Sequence, residues 1–566
     1  MIPYIYIKEV NDIMKKQKIL IVGGVAGGAT AMARLRRLSE EAEIIVFEKG
    51  EYISFANCGL PYYIGQVIKD REQLFVTKKE DVEKRQNIDV RTCHEVLAID
   101  RENKTVNVKN LETNQIYNES YDTLLLATGS YPMVFPMEGI DSPNVFTLTT
   151  VADTDALYEY IQDNHPKKAV VVGGGFIGLE MVDNFAHRGI EVSLVELADQ
   201  VMAPLDGEMA KKVEEHLREK NVQIYLNQGL EKITNNGKTV HLTNQTTIDT
   251  DLILLSMGVR PRSQLAKDAG LTLNERGGIV VDEYLQTSDE HIFAVGDVIE
   301  VVDYNTGLKT MVPLAGPANK QGRLVAGNIL NIQPKPYRGT QATSIAKVFD
   351  LTVATTGLNE KQLQKLGNVR DKDYKVALIT EHHHSKYYPG STPMTIKLIF
   401  NLEGKVRGAQ IVGQDGVDKR IDVLSTVLHY KGTIEDLTQL ELAYAPPYGS
   451  AKDPVNMVGY VAENILELNT KNVLPQEFQE QHQAYTLLDI REDQECKTNP
   501  YPYNCQHIPL SQLRQRLAEL DREQTYLVFC ASGARSYSAQ RILTQKGYQV
   551  ANLLGGYEFL KSLDIL

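Results

Sequence analysis

The chain has 566 residues, of which 42% are hydrophobic and 23% are charged, and its formal net charge is −13. This composition is typical of a globular protein with about four domains and excludes wholesale disorder. The acidic balance argues against a nucleic-acid protein that binds through phosphate contacts. The cysteines are too few and too scattered for a disulfide framework, which favours a reducing cytoplasm. They stand at positions 58, 93, 496, 505 and 530.

The first 16 residues are predicted to form an N-terminal extension. They carry Lys8, Glu9 and Asp12 within an apolar stretch and lack the cleavage site of a signal peptide. The longest apolar runs, such as 124–127, have the length of a strand, whereas a membrane helix needs about 20 apolar residues. We therefore expect neither secretion nor a membrane span.

Two similar segments dominate the first half of the chain. KILIVGGVAGGATAMARLRRL begins at Lys18 and KAVVVGGGFIGLEMVDNFAHRG begins at Lys168, and each predicts a strand, a Gly-rich turn and an amphipathic helix. Each is followed by a strand that ends in an acid, Glu48 or Glu196. In this dinucleotide-binding pattern the glycines let the backbone approach a pyrophosphate, and the acid binds a ribose. The repeat predicts two nucleotide sites, one for a flavin and one for a nicotinamide.

The second turn matches the G-x-G-x-x-G pattern fully, at Gly173, Gly175 and Gly178, whereas the first turn has Val25 in place of the middle glycine. A carboxylate at Glu196 favours a free ribose 2′-hydroxyl and repels a 2′-phosphate. The four residues that follow it contain no arginine to bind such a phosphate. We therefore expect NADH rather than NADPH.

The pattern changes at about residue 342. The segments SIAKVFDLTVATTG, YKVALIT, MTIKLIFN and KVRGAQIVG predict strands, the last two joined by a hairpin at Glu403-Gly404. Helices are predicted at Lys419–His429 and Pro454–Glu467. The polar segment 469–482 contains a proline and predicts a linker, which a compact α/β pattern follows.

Cys58 lies in SFANCGLPYY, ten residues after Glu48. Flavin enzymes with an internal redox disulfide place two cysteines here with C-x4-C spacing, but the fifth position after Cys58 is Tyr63. A single thiol at this place can form a mixed disulfide, a sulfenic acid or a persulfide. The glycine and proline that follow predict a turn or a helix start, which favours a reactive thiolate. A buried structural cysteine is the alternative.

Seven motifs in order resemble the coenzyme A disulfide reductase family: GGVAGGA, SFANCGLPYY, ATGSYP, GGGFIGLE, AVGD, PLAGPANKQGR and YAPPY. The resemblance runs from about residue 17 to residue 465. It implies an FAD-dependent pyridine-nucleotide:disulfide oxidoreductase with a single redox cysteine, active as a homodimer. The implied domains are an FAD domain at 17–149 and 267–341, an NAD domain at 150–266 and an α+β dimerisation domain at 342–468.

The resemblance also implies roles for individual residues. Cys58 would be the redox centre that forms Cys-S-S-CoA. Tyrosines of the partner subunit would approach it, with Tyr387 and Tyr444 as first choices and Tyr388 and Tyr448 as rivals. The FAD site would comprise Gly23, Gly24, Ala26, Gly27, Glu48, Gly129 and Asp297. The CoA channel would comprise Arg37, Ser54 and Asn57, with Arg85 as a weaker candidate.

Cys530 begins a second reactive loop. TYLVFCASGARSYSAQRILTQKGY predicts a strand, a loop from Cys530 to Arg535 and an amphipathic helix. In C-x-x-G-x-R the amide groups surround the sulfur and stabilise a thiolate or a persulfide, whereas a phosphatase would have the longer C-x5-R loop. With LLDIRE, HIPL and LLGGYEFL, residues 483–566 resemble a single α/β rhodanese domain in which Cys530 and Arg535 are catalytic. An inactive rhodanese is the alternative.

No metal site is predicted. The adjacent histidines 382–384 cannot all face one ion from a single strand, so a solvated loop is expected there. Cys496 and Cys505 are expected to be two free thiols rather than a disulfide, and Cys93 is expected to be structural.

Sulfane sulfur is the chemistry that both reactive thiols share. We predict NADH-driven, FAD-dependent reduction of CoA persulfide or polysulfide at Cys58, with Cys530 accepting or delivering sulfur. The alternatives are plain CoA-disulfide reduction, an NADH peroxidase or oxidase, and a persulfide sensor that controls a partner protein. CoA persulfide, CoA disulfide, glutathione persulfide and polysulfide all remain candidate substrates.

Overall fold

The computed structural model describes residues 17–563 and residue 565. The extension predicted at 1–16 lies outside these residues. Among the described residues, one compact unit comprises 17–173, 184–191 and 230–342 (the first unit). The other comprises 174–183, 192–229 and the residues from 343 onward (the second unit). The segment predicted as an NAD domain contributes to both.

A parallel five-stranded sheet forms the core of the first unit. Its strands stand in the spatial order Ile292–Ala294, Thr123–Leu126, Lys18–Val22, Glu43–Phe47 and Asp89–Arg91. The central strands are apolar and buried, as expected of parallel strands that are covered on both faces. In such sheets ligands bind at the carboxyl ends of the strands, so this edge positions the first candidate site.

Further elements complete the first unit. A second parallel group consists of Val145–Phe146, Leu252–Leu255 and Lys168–Val172. Two three-stranded antiparallel sheets consist of His94–Asp100, Thr105–Asn110 and Ile116–Ser120, and of Leu230–Thr234, Thr239–Leu242 and Thr247–Asp249. Two short antiparallel pairs join Val259–Pro261 to Ser130–Pro132 and Val301–Val302 to Lys309–Thr310. Its helices are Ala26–Leu38, Leu60–Ile64, Lys79–Gln86, Val151–Asn164, Gln264–Asp268 and Ala315–Ile329.

The second unit contains an antiparallel five-stranded sheet. Its spatial order is Ser344–Val348, Leu351–Gly357, Val406–Gly413, Pro393–Asn401 and Tyr374–His382. The predicted strands and the hairpin at Glu403-Gly404 are thus present. The helices of this part are Glu360–Lys365, Val417–His429, Ile434–Gln439 and Pro454–Glu467. Earlier in the chain, Glu191–Val195 follows the helix Phe176–His187 and pairs in parallel with Gln223–Tyr225, which follows the helix Gly207–Glu219.

The C-terminal part of the second unit is built on another parallel sheet. Its spatial order is Asn472–Val473, Gln549–Leu553, Thr525–Phe529, Thr486–Asp489 and Gln506–His507. Its helices are Pro475–Gln481, Asp493–Thr498, Leu510–Leu513, Ala534–Gln545 and Gly556–Ser562. In the described part of the chain, no helix is both long enough and apolar enough to span a bilayer.

The linker predicted at 469–482 is wrong. This segment holds the edge strand Asn472–Val473 and the helix Pro475–Gln481. Leu474 and Phe478 are 2% and 0% exposed, so they anchor the segment in the core although most of its residues are polar. Two buried apolar side chains are enough to fix a short amphipathic helix that the composition alone suggests is a linker.

Candidate functional site

The two Gly-rich turns have the same backbone geometry. Gly23 has a φ of +105° and Gly173 has a φ of +112°, a region that favours glycine. A Cβ at Gly23 would lie 2.2 Å from the carbonyl oxygen of Ala127, and one at Gly173 would lie 2.3 Å from that of Ser256. Both turns therefore press against the end of a neighbouring strand in a way that only glycine allows.

The acid of each repeat is bound to its own turn. The amide of Gly24 donates to Glu48 at 2.8 Å, and the amide of Gly174 donates to Glu196 at 2.6 Å. In both repeats the amide two residues after the acid donates to the other carboxylate oxygen, at 2.9 Å and 2.8 Å. Burial raises the pKa of Glu48, while the amide hydrogen bonds act against that shift. Each turn thus holds a carboxylate at the place where a nucleotide ribose is bound in the βαβ pattern.

The departure from the glycine pattern at Val25 does not disturb the first turn. Val25 is the N-cap of the helix Ala26–Leu38 and has extended backbone angles. At Gly175, the matching position of the second turn, a Cβ would meet no heavy atom within 4 Å. The surrounding protein therefore leaves room for a side chain at this position, and the turns with their bound acids fit a dinucleotide.

Asp297 and Gly129 lie at the same edge of the first sheet as Gly23. Ser130 donates a hydrogen bond to Asp297 at 3.1 Å, and the amide of Gly296 donates to Gln321 at 2.7 Å. Burial raises the pKa of Asp297, and the Ser130 hydrogen bond acts against that shift. The predicted FAD residues are therefore brought together, and Ser130 and Gln321 join them. Both lie inside motifs that carry the family resemblance, Ser130 in ATGSYP and Gln321 in PLAGPANKQGR, but neither was predicted as a site residue.

Cys58 lies in a single turn of 3₁₀-helix, Asn57–Gly59, directly before the helix Leu60–Ile64. Its side chain is exposed. The amide of Ser54 donates to the carbonyl of Gly24 at 2.9 Å, which ties this segment to the first Gly-rich turn. The structure therefore places the predicted redox thiol at a helix start, four residues after a residue that is hydrogen-bonded to the predicted flavin turn.

The predicted CoA-binding arginines lie on different helices. Arg37 is exposed in the last turn of Ala26–Leu38. Arg85 is exposed on Lys79–Gln86 and pairs with Asp81 at 3.2 Å. The neighbouring Arg36 is 5% exposed and donates to four backbone carbonyls, so its role is structural. The roles of Arg37 and Arg85 stay predictions.

Tyr387 and Tyr444 meet in the second unit. Their hydroxyl groups lie 3.1 Å apart, and their side chains are 75% and 49% exposed. Their mutual hydrogen bond lowers the pKa of Tyr387 and raises that of Tyr444.

The rival Tyr388 does not join this pair but packs edge-on against His384, with the ring centres 5.5 Å apart. His384 is only 4% exposed. The expectation of a solvated loop at histidines 382–384 is therefore wrong for His384, against which the ring of Tyr388 packs.

Cys530 directly follows the strand Thr525–Phe529 and is fully buried. The amide of Gly533 donates to its Sγ at 3.1 Å, and the hydroxyl of Ser536 donates to it at 3.5 Å. A Cβ at Gly556 would lie 2.5 Å from the carbonyl oxygen of Cys530, so the next helix approaches the loop closely. These donors suit a thiolate or a persulfide at Cys530.

Arg535 does not donate to the sulfur but forms an ion pair. Its two terminal nitrogens each donate to a different oxygen of Glu495, both at 2.6 Å. This contact lowers the pKa of Glu495 to about 2 and raises that of Arg535. Sequence reasoning missed Glu495, which lies 40 residues before Arg535 in a stretch without a motif.

The remaining cysteines are thiols. Burial raises the pKa of Cys496 and of Cys505 to about 11, and it also raises that of Cys93. Cys496 lies 3.5 Å from Asp489 Oδ2 and 3.4 Å from His507 Nε2. These three thiols are therefore protonated near neutral pH.

A buried lysine and three acids form a cluster that the sequence did not reveal. Asp206, Glu208 and Glu360 hold carboxylate oxygens within 4.8 Å of one another. The Nζ of Lys397 contacts all three, at 2.8 Å from Asp206 and 2.6 Å from Glu360, and donates to Glu208. The lysine supplies the positive charge that a metal ion would otherwise bring, so this buried cluster is an ion-pair network.

Comparison with known families gives the protein its class. Residues 17–322 match the family described as pyridine nucleotide-disulphide oxidoreductase. The chain belongs to this family. Residues 343–454 match the dimerisation domain of the same family, and residues 474–562 match the rhodanese-like domain. The chain is thus an oxidoreductase that uses FAD and NAD(H), and the predicted family and fold class are confirmed.

Several relatives resemble the chain closely. The coenzyme A disulfide reductase of Staphylococcus aureus (strain JH9) is 36% identical over 447 residues, which are 79% of this chain and 100% of the relative. The structure of reduced CoADR-RHD of Bacillus anthracis has 50% sequence identity and a TM-score of 0.94, covering 97% of this chain and 98% of that one. A NAD-dependent persulfide reductase from A. fulgidus has 37% identity and a TM-score of 0.89, covering 96% and 99%.

Proposed function

We propose that this oxidoreductase uses NADH to reduce the sulfane sulfur of CoA persulfide, and of polysulfide, at Cys58. The observation that carries the choice of substrate is the Cys530 loop, whose Gly533 and Ser536 donors suit a persulfide in the same chain as the reductase. The persulfide reductase from A. fulgidus supports the choice, because it matches 96% of this chain. The cytoplasm, where thiols stay reduced, is the fitting location.

The first Gly-rich turn, Glu48 and Asp297 would hold FAD, and the second turn with Glu196 would hold NADH. When bound there, the two cofactors would supply the two-electron reducing chemistry that acts on sulfur at Cys58. The Ser54–Gly24 hydrogen bond supports this role of Cys58, because it ties the segment of the thiol to the first turn.

The sulfur chemistry at Cys58 balances as two steps. The Cys58 thiolate attacks the inner sulfur of CoA–S–SH, forms Cys58–S–S–CoA and releases HS⁻, which carries away the electron pair of the broken S–S bond. Two electrons and one proton then split the mixed disulfide into the Cys58 thiolate and CoA–SH. Arg37, Ser54, Asn57 and Arg85 are the candidates for binding CoA.

The tyrosine pair would assist the departing thiolate. In the homodimer that the dimerisation domain implies, Tyr387 and Tyr444 of the partner subunit would donate a proton to the leaving sulfur. The Tyr444 hydrogen bond that lowers the pKa of Tyr387 makes Tyr387 the better proton donor. Cys530 would exchange sulfane sulfur with Cys58 through the long pantetheine arm of CoA.

Reduction of CoA disulfide is the second candidate. The S. aureus coenzyme A disulfide reductase, 36% identical to this chain, favours it. The same thiol would attack CoA–S–S–CoA and release CoA–S⁻ instead of HS⁻.

A cysteine substitution tests the proposal. We expect Cys58→Ser to lower anaerobic NADH oxidation with CoA persulfide at least about 100-fold, because serine cannot form the mixed disulfide. Cys93→Ser is the matched control, since this thiol lies in the same unit and is assigned no chemical role. Retention of native activity by Cys58→Ser would overturn the proposal.

A further inference from the structure

The Cys530 loop borders a small cavity. The cavity has a volume of about 230 Å³, and Ala531, Glu495, Glu558 and Arg491 line it. Ala531 directly follows Cys530, whose own side chain is fully buried. A sulfur donor that reaches Cys530 from this side therefore has to enter a space whose walls carry two carboxylates.

Both arginines near this cavity are already neutralised. The guanidinium of Arg535 makes two hydrogen bonds of 2.6 Å to Glu495. The guanidinium of Arg491 makes bonds of 2.7–3.0 Å to Asp489, and both partners are almost fully buried. Glu558 is exposed and adds a further negative charge to the lining.

This charge pattern discriminates between sulfur donors. A dianion such as thiosulfate needs unpaired cationic donors for its oxygens, and it is repelled by carboxylates at short range. An organic persulfide, R–S–SH, carries at most one negative charge at its sulfane sulfur and has no oxygens that need cationic donors, so the carboxylates repel it less than they repel a dianion. A charged handle far from the sulfur, as in CoA, stays outside such a small cavity.

We propose that Glu495, by holding Arg535, makes the Cys530 loop select organic persulfides over dianionic sulfur donors such as thiosulfate. This inference rests on the proposed role of Cys530 in handling sulfane sulfur and names the class of donor. Glu495 acts through Arg535 and is therefore a specificity residue, not a catalytic one.

The transfer balances for both donors. With a persulfide, R–S–SH and the Cys530 thiolate give Cys530–S–SH and R–S⁻, so the sulfane sulfur changes partner and the electron pair leaves with R–S⁻. With thiosulfate, the thiolate takes the outer sulfur and sulfite leaves with the pair. Cyanide then removes the sulfur from Cys530 as thiocyanate in either case.

The test compares two carboxylate variants of the full-length holoenzyme. Glu495→Gln releases Arg535 from its ion pair yet keeps an acceptor for the amide of Glu492, which donates to Glu495 at 3.0 Å. Glu558→Gln removes one charge from the same lining but leaves Arg535 paired. Thiocyanate formation from thiosulfate and cyanide gives KM and kcat, and intact-protein mass spectrometry gives sulfur loading of Cys530 by thiosulfate and by CoA persulfide.

We expect Glu495→Gln to lower the KM for thiosulfate at least about tenfold with kcat changed less than about twofold, because a freed guanidinium binds the dianion. Glu558→Gln should change this KM less than about threefold, since a solvated carboxylate contributes little. The double variant Glu495→Gln with Arg535→Gln should lose the gain.

Three results would overturn the inference: an equal gain in both single variants, a gain that survives in the double variant, or a native KM for thiosulfate as low as that of Glu495→Gln. If CoA persulfide loads Cys530 while the variants behave alike, the donor selection fails and the proposed function stands. Loading by neither donor in any variant contradicts the role of Cys530 and the inference together.

Discussion

At the scale of single residues, we propose that Glu196 decides which nicotinamide nucleotide binds. Its carboxylate is held beside the second Gly-rich turn by the amides of Gly174 and Ala198. We expect kcat/KM for NADH to exceed that for NADPH at least about tenfold, or 1.4 kcal/mol, because the carboxylate repels a 2′-phosphate. Glu196→Ala should shrink this ratio, whereas Glu191→Ala, an exposed acid at the start of the same strand, should not. An unchanged ratio in Glu196→Ala would contradict the assignment.

The tyrosine pair predicts a shift in the pH profile. The hydrogen bond with Tyr444 keeps the pKa of Tyr387 low, so Tyr444→Phe raises that pKa. If protonated Tyr387 is the acid, activity falls as pH rises through its pKa, and the alkaline limb of the kcat profile should move to higher pH in Tyr444→Phe. Tyr430→Phe, at a 79% exposed tyrosine, is the control and should leave the limb in place. A limb that stays fixed in Tyr444→Phe would exclude this role.

Site residues that belong to one strand–turn–helix unit could be predicted from the sequence. Partners that are distant in sequence and meet only in the folded protein could not. Gly23, Glu48 and their counterparts follow a fixed spacing, because strand, turn and helix impose it. Glu495 meets Arg535 only after α/β folding brings two helices together, and no periodicity marks the pair. The spacing thus revealed the turns and the thiol loops but not the residue that neutralises Arg535.

At the scale of elements, the Lys397 cluster joins one strand to two helices of the second unit. Lys397 lies on Pro393–Asn401, Glu208 lies on Gly207–Glu219, and Glu360 begins Glu360–Lys365. Burial and the neighbouring acids raise the pKa of Glu208, although Lys397 acts against that shift. The network therefore depends on the lysine charge.

Removal of this lysine should be strongly destabilising. We expect Lys397→Met to lower the free energy of unfolding by about 3–5 kcal/mol, because three buried acids lose their counter-charge. Urea unfolding followed by circular dichroism measures this. Lys347→Met is the matched control, since this lysine of the same sheet is 61% exposed and lies 3.9 Å from Asp183, so about 0–1 kcal/mol is expected. Equal free energies of unfolding for the two variants would show that the Lys397 cluster does not contribute to stability.

The segment 469–482 shows why composition misjudges short elements. Its polar residues and proline predict a linker, yet Leu474 and Phe478 are buried and Asn472–Val473 adds a strand to the sheet. Pro475 stands at the first position of the helix, where its missing N–H does no harm. The longer predicted strands and helices from 342 to 468 were recovered because their periodicity extends over more residues.

At the scale of the whole molecule, the proposed function needs two subunits. If the tyrosines act on the partner's cysteine, a purified hybrid dimer of one Cys58→Ser chain and one Tyr387→Phe chain contains one intact site. We expect about half of the native NADH oxidation with CoA persulfide, because a symmetric dimer has two equivalent sites. The two parent homodimers are the controls and should both be impaired. A hybrid no more active than its parents would place the tyrosine and the cysteine of each site in the same chain.

The central claim is that this flavoenzyme clears persulfide sulfur. The most direct test is anaerobic NADH oxidation by the purified holoenzyme with CoA persulfide and with CoA disulfide at equal concentration. We expect kcat/KM to favour the persulfide at least about tenfold, with hydrosulfide released in equal amount to the NADH consumed. A preference for the disulfide would contradict the claim and make the enzyme a CoA disulfide reductase instead. NADH oxidation with CoA persulfide but without hydrosulfide release would contradict the claim as well.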